Sequence, residues 1–492
     1  MAEPVPKTIR QRLLSGTSWQ LGLALAGRFF SFLLNVLQGR YLGVVGYGQL
    51  SLVQNTLQFL TLFAGAATGS TSVKYLSELR VREPARVQRI LALSIGIVVV
   101  GSLAAGGLLA LWASPIAAHI LHQPSMAPLL RLSSIALVAI CVGGTWGGVL
   151  FGFQMFREEA IIRFVQAFAW FAICLALMRS AGVWGAVLAY DLACVLTTAL
   201  LLWIGIRALR KHNLRLDFRN ALQEGRVFKE YSLAVMMQTL VLLGSQYAVF
   251  AMLSRSPEGA IASGRFFAAF QYRLIIQYLP IMVQTTAGPL VAELLGAGQR
   301  ERAGRLYYNI LGATALSLAG LSLVMVAFSA WLLGLFGKGF PGSPLLFASV
   351  MAYAVTVAGN NLAGMALQMH GKAWIAFRAD GAAAVATLIM GFILIGRYQD
   401  VGAAIALQIG AITQAAVYMI FTRDVGPVVR QRIGVFRYAM VVLLAPQACM
   451  LLAIARDGTR NPGLWLGGAA VIALLLWSGV GWYRQLTAKA AT

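Results

Sequence analysis

The chain has 492 residues, 59% of them hydrophobic and only 11% charged, with 39 Lys and Arg against 16 Asp and Glu for a net charge of +23. Soluble domains run nearer to about 45–50% apolar and about 25% charged, so a water-soluble enzyme of this length is excluded. Disordered, collagen-like and disulfide-framework chains are excluded too, because the apolar content is high, the 51 glycines show no triplet period and there are only four cysteines. What remains is a polytopic membrane protein.

The N-terminus, MAEPVPKTIRQRLL, is basic and runs into a full-length apolar segment without a small-residue cleavage site. It reads as a retained first span rather than a removed signal peptide. A helix needs roughly 20 apolar residues to cross the hydrocarbon layer. In chain order the predicted spans are 14–38, 47–71, 89–112, 127–151, 160–178, 183–206, 231–253, 266–291, 306–335, 344–368, 374–395, 401–421, 436–455 and 464–483. The longest polar connection, 207–230, falls between the sixth and seventh spans.

With a cytoplasmic N-terminus every inner segment is basic, whereas the outer segments hold only Arg40, Arg179, Arg255, Arg265, Lys338, Arg397, Arg456 and Arg460. That bias places both ends in the cytoplasm and assigns the positive charge to topology against an anionic leaflet, with no call for nucleic acid. Only Arg28, Arg131 and Arg273 fall inside spans. Arg131, near the outer interface, reads as an anchor.

An internal repeat of about 215 residues emerges on self-comparison. LFGFQMFREEAIIRF (150–164) sits beside GMALQMHGKAWIAFR (364–378), with Gln154-Met155 on Gln368-Met369. GAVLAYD (185–191) parallels AAIALQI (403–409), and Glu78 falls on Glu293. Six spans separate the copies, so the repeat is parallel, about an axis along the membrane normal. The predicted domains are an N-terminal six-helix lobe (1–206), a cytoplasmic linker (207–230), a second six-helix lobe (231–422) and a two-helix C-terminal segment (423–492). The fold class is all-α, and rocking of one lobe against the other gives alternating access.

Polar residues inside spans face protein or water, because lipid offers them no hydrogen bonds. Span one carries Gln20, Arg28, Ser31, Asn35 and Gln38 at helical spacing, and span two Gln54, Gln58, Thr61, Thr68 and Ser72. Span seven has Gln238 and Ser245, span eight Arg273, Gln277, Pro280, Gln284 and Gly288, and span ten Asn360, Asn361 and Gln368. Such side chains either glue helices together or line a wet cavity that hydrogen-bonds a hydroxylated cargo. Arg28 lies near mid-membrane, and Arg273 roughly two turns into its span. An arginine at the bilayer centre costs at least about 2.5–3.5 kcal/mol and needs compensation. Asp191 in span six is the one acid expected to be well buried, with Asp380, Glu78 and Glu293 nearer the cytoplasmic ends. The interior is therefore expected to be net positive, suited to an anionic head such as a phosphate held by guanidinium forks.

Aromatics near these stripes (Trp19, Phe29, Trp146, Phe266, Phe270, Tyr272) suit either core packing or stacking on sugar rings. Cys141, Cys174, Cys194 and Cys449 fall in apolar runs without metal spacing, and His119 and His122 lack nearby acids, so neither a metal nor a cofactor is expected. GxGxxG, Walker A, HExxH and GxSxG motifs are missing from the sequence, which disfavours catalysis and ATP hydrolysis.

The segment GRYLGVVGYGQ joins spans one and two, and its Arg40, Leu42, Gly43, Tyr47 and Gly48 match a pattern of bacterial polysaccharide transport proteins. The chain resembles the O-antigen and exopolysaccharide flippases of the multidrug/oligosaccharidyl-lipid/polysaccharide exporter superfamily. The resemblance implies a MATE-like pair of six-helix bundles in the inner membrane. It also implies export of an undecaprenyl-diphosphate-linked glycan, with polysaccharide polymerase and export machinery as partners. Membrane-embedded arginines in related flippases hold the diphosphate, and Arg28 and Arg273 lie on the corresponding spans. Asn35, Gln58, Gln277 and Gln284 complete the expected binding set, with Asp191 for coupling. A cation-coupled multidrug exporter of the same superfamily is the alternative, though cationic drugs favour acidic cavities, and a lipid-II-type flippase is a close cousin. A membrane-embedded glycosyltransferase or polymerase would present larger loops and catalytic acids.

Overall fold

A computed structural model describes residues 9–421, except 66, 81, 229–231, 297–317, 319 and 370–372. The predicted spans thirteen and fourteen lie outside the described residues. Among the described residues all regular structure is helical. In order the principal helices are α1 (Ile9–Gly65), α2 (Thr68–Leu79), α3 (Pro84–Pro115), α4 (Ala127–Leu132), α5 (Ser134–Gly152), α6 (Phe156–Lys211), α7 (Leu233–Ser254), α8 (Gly259–Gly296), α9 (Ser329–Gly334), α10 (Pro344–Met369) and α11 (Ala373–Phe421). Among the described residues, five stretches of helix are long and apolar enough to cross a membrane: Pro84–Ile120, Ser134–Gly152, Phe156–Lys211, Val235–Ser254 and Trp374–Tyr418. The chain divides into two compact units, Met1–Tyr247 and Ala248–Thr492.

Three of these helices each carry two of the predicted spans, joined by a sharp break. α1 breaks at Gly43 (φ 68°, ψ 179°), the glycine that the hairpin motif of spans one and two supplies. α6 breaks at Gly182 (φ 54°, ψ −130°) and α11 at Gln399 (φ 47°, ψ −117°). Positive φ at such points costs glycine little and other residues more. Three residues past each of the last two breaks stands a glycine. A Cβ on Gly185 would strike the Leu177 carbonyl, and one on Gly402 the Leu394 carbonyl. The predicted single span at 47–71 is corrected: the helix stops at Gly65 and restarts at Thr68 after Ala67 in a left-handed conformation (φ 56°). The Thr68 hydroxyl closes the gap by donating to the Gly65 carbonyl at 2.7 Å.

Within unit one, α2 packs on α5 through small residues. A Cβ on Gly148 would collide with the Gly69 backbone, and the hydroxyls of Thr68 and Thr145 lie 2.6 Å apart. This is how membrane helices associate without a hydrophobic drive between them: close backbones and a few polar bonds. Leu76, Val87, Leu91, Trp146, Leu150 and Phe153 form a buried cluster where α2, α3 and α5 meet.

The ends of α5 and α6 share one cap. Gln154 takes a left-handed φ of 61°, its amide donates to the Phe151 carbonyl (2.9 Å) and the Met155 amide to the Leu150 carbonyl (2.9 Å). Asn213 repeats this with φ 54°, its amide bonding the Arg210 carbonyl (3.1 Å) and the Leu214 amide the Leu209 carbonyl (3.0 Å). Both are Schellman motifs, in which the pair of bonds satisfies carbonyls that the helix end leaves open. Gln154-Met155 is thus a helix stop in the first copy; its predicted mates Gln368 and Met369 are the last described residues of α10.

Candidate functional site

The polar stripe of span one divides on inspection. Asn35 is buried, its Nδ2 donating to the Ser31 carbonyl (2.8 Å) and its Oδ1 accepting from the Tyr47 hydroxyl (3.1 Å). Gln38 is buried against α6, with its Nε2 3.4 Å from the Cys174 sulfur. These two amides tie span one to its neighbours across the Gly43 break. Arg28, by contrast, is exposed. The adjoining Phe29 is 62% exposed, while Phe30 packs edge-on among Phe164, Phe168 and Phe171 of α6. Gln58 is exposed, and its backbone carbonyl accepts a bond from the Thr61 hydroxyl (2.6 Å). Gln54 keeps a buried Nε2 with no partner.

Arg273 has the most unusual surroundings. Its helix begins at Gly259, seven residues before the predicted start. Arg273 therefore stands about four turns from the helix start at 3.6 residues per turn, not two. Its guanidinium lies over the Phe270 ring, 3.8 Å from the centroid. Phe270 in turn stacks on Phe266 (5.1 Å, 27°) and on Tyr353 of α10 (6.1 Å, 17°). The Tyr353 hydroxyl hydrogen-bonds the guanidinium, yet Nε is buried without a partner. A desolvated cation–π contact contributes roughly 2 kcal/mol, which offsets much but not all of the insertion cost of about 2.5–3.5 kcal/mol. The ion pairs among the described residues involve Arg86, Arg89 and Arg163, and none includes Arg28 or Arg273. Gln277 is half-buried one turn further along α8. The side chain of Gln284 lies outside the described residues.

The acids require one correction. Asp191 is buried, 4% exposed, and neither carboxyl oxygen has a hydrogen-bond partner; the Ser133 hydroxyl, itself unpaired, faces it. It is not alone, because Asp380 is 5% exposed and Glu224 7%. Asp380 is covered by the second limb of α11, where Gln414 Nε2 donates to its Oδ1. Asn360 of α10 extends the chain, donating from Nδ2 to Gln414 Oε1 and to the Ala411 carbonyl, both at 2.8 Å. Glu224 is caught between Arg86 and Arg89, with its Oε2 3.2 Å from Arg86 Nε and its Oε1 3.1 Å from Arg89 Nη2. Distance from a span end misjudged Asp380, since burial depends on what packs above it; Glu224 lies in the predicted linker 207–230, outside the spans.

Of the aromatics, Trp146, Phe266 and Tyr272 are core residues; the Tyr272 hydroxyl donates to the Leu332 carbonyl at 2.6 Å. Cys141, Cys174 and Cys194 are buried thiols, as their apolar runs predict. Arg131 donates to the Ser114 hydroxyl (2.8 Å) on the exposed surface. Sequence reasoning missed Tyr353, whose only signal is its place in span ten beside the Asn360 stripe.

Comparisons with known proteins bear on the family and the fold. The chain is 26% identical over 325 residues to the EPS I polysaccharide export inner membrane protein EpsE of Ralstonia nicotianae, covering 64% of this chain and 72% of that one. Its fold matches the lipid II flippase MurJ in an inward closed conformation, with a TM-score of 0.70 at 16% identity over 95% of this chain and 100% of MurJ. The eukaryotic MATE transporter AtDTX14 superposes with a TM-score of 0.64 at 11% identity, over 88% of this chain and 99% of the other. Residues 13–295 match the family described as polysaccharide biosynthesis protein. The chain is thus an all-α membrane protein with the fold of MurJ and the MATE transporters, and it belongs to the polysaccharide biosynthesis protein family.

Proposed function

We propose that the protein is a flippase that carries an undecaprenyl-diphosphate-linked oligosaccharide from the inner to the outer leaflet of the bacterial inner membrane, for O-antigen, capsule or exopolysaccharide assembly. The observation that carries this reading is Arg273, a guanidinium held over Phe270 with Nε buried and unpaired. A half-buried guanidinium whose Nε is short of an acceptor is a seat for an anion, and a phosphate oxygen suits its planar fork. Arg28, exposed on α1, supplies a second positive group. Asn35, Gln58, Gln277 and Gln284 complete the proposed binding set, although the bonds of Asn35 within its unit also give it a helix-tying role.

In this reading lobes 1–206 and 231–422 rock in alternating access about the linker 207–230, with 423–492 as an additional helix pair and both termini cytoplasmic. Moving a negative diphosphate outward across an inside-negative membrane gains about 2.3 kcal/mol per charge per 100 mV. Asp191, buried without a cationic partner, is the proposed coupling group. The glycan polymerase and export machinery act downstream on the flipped carrier.

The test is complementation of a flippase-null strain. Arg273→Ala is expected to abolish surface glycan at normal protein level, a transport loss of at least about a hundredfold if ~3 kcal/mol of anion binding disappears. Arg28→Ala is expected to reduce it strongly, and Arg273→Lys to restore only part, since an ammonium keeps the charge but not the fork. Wild-type surface glycan from both alanine variants would rule out the diphosphate seat.

A further inference from the structure

The linker after α6 is pinned to unit one along its length, yet it holds two large apolar side chains outward. The pinning is dense. His212 stacks on Phe153 (4.7 Å, 12°), Leu214, Ala221 and Val227 are buried, and Glu224 is gripped by Arg86 and Arg89 at the start of α3. Asp217 and Asn220 close a turn between them, the Asn220 amide donating to Oδ1 (3.2 Å) and its Nδ2 to Oδ2 (3.0 Å). Against this background Phe218 is 57% exposed and Leu222 84%. Arg215, Arg219 and Arg226 beside them are exposed as well.

The position of this turn restricts what covers it. It follows directly on a membrane-crossing helix and packs on the first turn of α3 and the end of α5, so it lies at the level where the spans leave the bilayer. Water is a poor environment for the two apolar groups, and the deep hydrocarbon a poor one for the three guanidinium groups. The boundary between acyl chains and anionic headgroups satisfies both at once.

We propose that the turn 215–226 is a lipid-docking surface, with Phe218 and Leu222 entering the headgroup–acyl boundary of an anionic leaflet and Arg215 and Arg219 bonding lipid phosphates. The occupant is bilayer lipid rather than a protein, because the surface is contiguous with the spans and its charge complements an acidic leaflet. Glu224 serves the surface indirectly by fixing the backbone from which the two side chains project.

The experiment uses the full-length protein with Leu222→Cys carrying an environment-sensitive fluorophore, in nanodiscs of phosphatidylcholine with and without phosphatidylglycerol. The wild-type chain, labelled in parallel, gives the background from the native thiols. Expected is a blue-shifted emission, quenched several-fold more by lipids with a nitroxide near the headgroup than by aqueous iodide, and strengthened by phosphatidylglycerol. Arg215→Gln with Arg219→Gln should remove the phosphatidylglycerol dependence while the size-exclusion profile stays that of the parent. Solvent-like emission quenched by iodide would overturn the proposal, as would a blue shift that persists in detergent and is indifferent to lipid nitroxide, the mark of a protein contact. Nanodiscs present the same lipid on both faces, so the result does not depend on the proposed cytoplasmic sidedness or cargo.

Discussion

The α6 hairpin around Gly182 and the α11 hairpin around Gln399 are one device built twice. Each breaks at a residue of positive φ, and each then sets a glycine against a carbonyl of the incoming limb, Gly185 on Leu177 and Gly402 on Leu394. One constant interval separates the members of all three pairs. This register corrects the sequence match by one residue: Gly185 answers to Gly402, not to Ala403, and so Asp191 answers to Gln408. Both are buried with unpaired acceptor oxygens. The backbone demand is kept in both copies, while the polar group in the middle is a carboxylate in one and an amide in the other. Duplicated geometry with divergent charge is the pattern expected when one copy takes on chemistry that the other does not.

The comparison breaks most completely at the close-approach glycines. Gly185→Val and Gly402→Val each force side-chain atoms onto a backbone carbonyl that cannot retreat without opening the hairpin, an overpacking cost of about 3 kcal/mol or more. Both are expected to lose most folded protein, read as the monodisperse peak of a fluorescent fusion. A folded Gly402→Val beside an unfolded Gly185→Val would show that the two turns are not equivalent. Next in size is Asp191→Gln, which makes the two hairpins alike in their central polar residue. Surface glycan is expected to fall at least tenfold while the peak stays normal, because the amide, one methylene longer than the aspartate, keeps a polar group at the site but cannot ionise. The reciprocal Gln408→Asp, on a parental Asp191 background, should leave export close to the starting level.

The spans themselves were legible because a membrane imposes a length of apolar chain that little else requires. The Gln154-Met155 half of the repeat signature has a local backbone role, a capping turn that ends α5. The polar interior was harder to read. The stripe containing Asn35 shows in sequence only as polar, and its use is decided by Tyr47 arriving across the Gly43 break at 3.1 Å. The burial of Asp380 comes from Gln414 on another limb, and that of Glu224 from two arginines whose spacing fits topology equally well. Arg273 was found by its charge, but its setting depends on Phe270 and Tyr353, brought together by packing of α8 on α10. Single-helix periodicity carries no record of such partners.

A third prediction follows from the Glu224 clamp, which has no counterpart within the described residues of unit two. Glu224→Gln weakens three charge-assisted bonds from two half-exposed arginines while retaining the shape, and is expected to cost roughly 1–2 kcal/mol. A lower apparent melting temperature of purified protein, recovered in part by Arg86→Met with Arg89→Met, would place the cost on the unpaired charges rather than on lost packing.

The smallest effect returns to the breaks themselves. Gln399 holds φ 47° and ψ −117°, a conformation that a side chain makes unfavourable by roughly 1–3 kcal/mol, whereas Gly182 holds nearly the same angles without that cost. Gln399→Gly therefore relieves the folded state but also loosens the unfolded chain, a penalty of about 0.5–1 kcal/mol. The net expectation is a gain near 1 kcal/mol, and Gly182→Ala should lose about as much, since no neighbour crowds the position and the backbone conformation alone opposes the methyl group. Opposite shifts of similar size in a thermal-unfolding series would show that the two turns share one backbone requirement. A loss on Gln399→Gly would mean that the glutamine side chain makes a compensating bond at the tip of its hairpin, and the equivalence of the turns would then hold for geometry but not for energy.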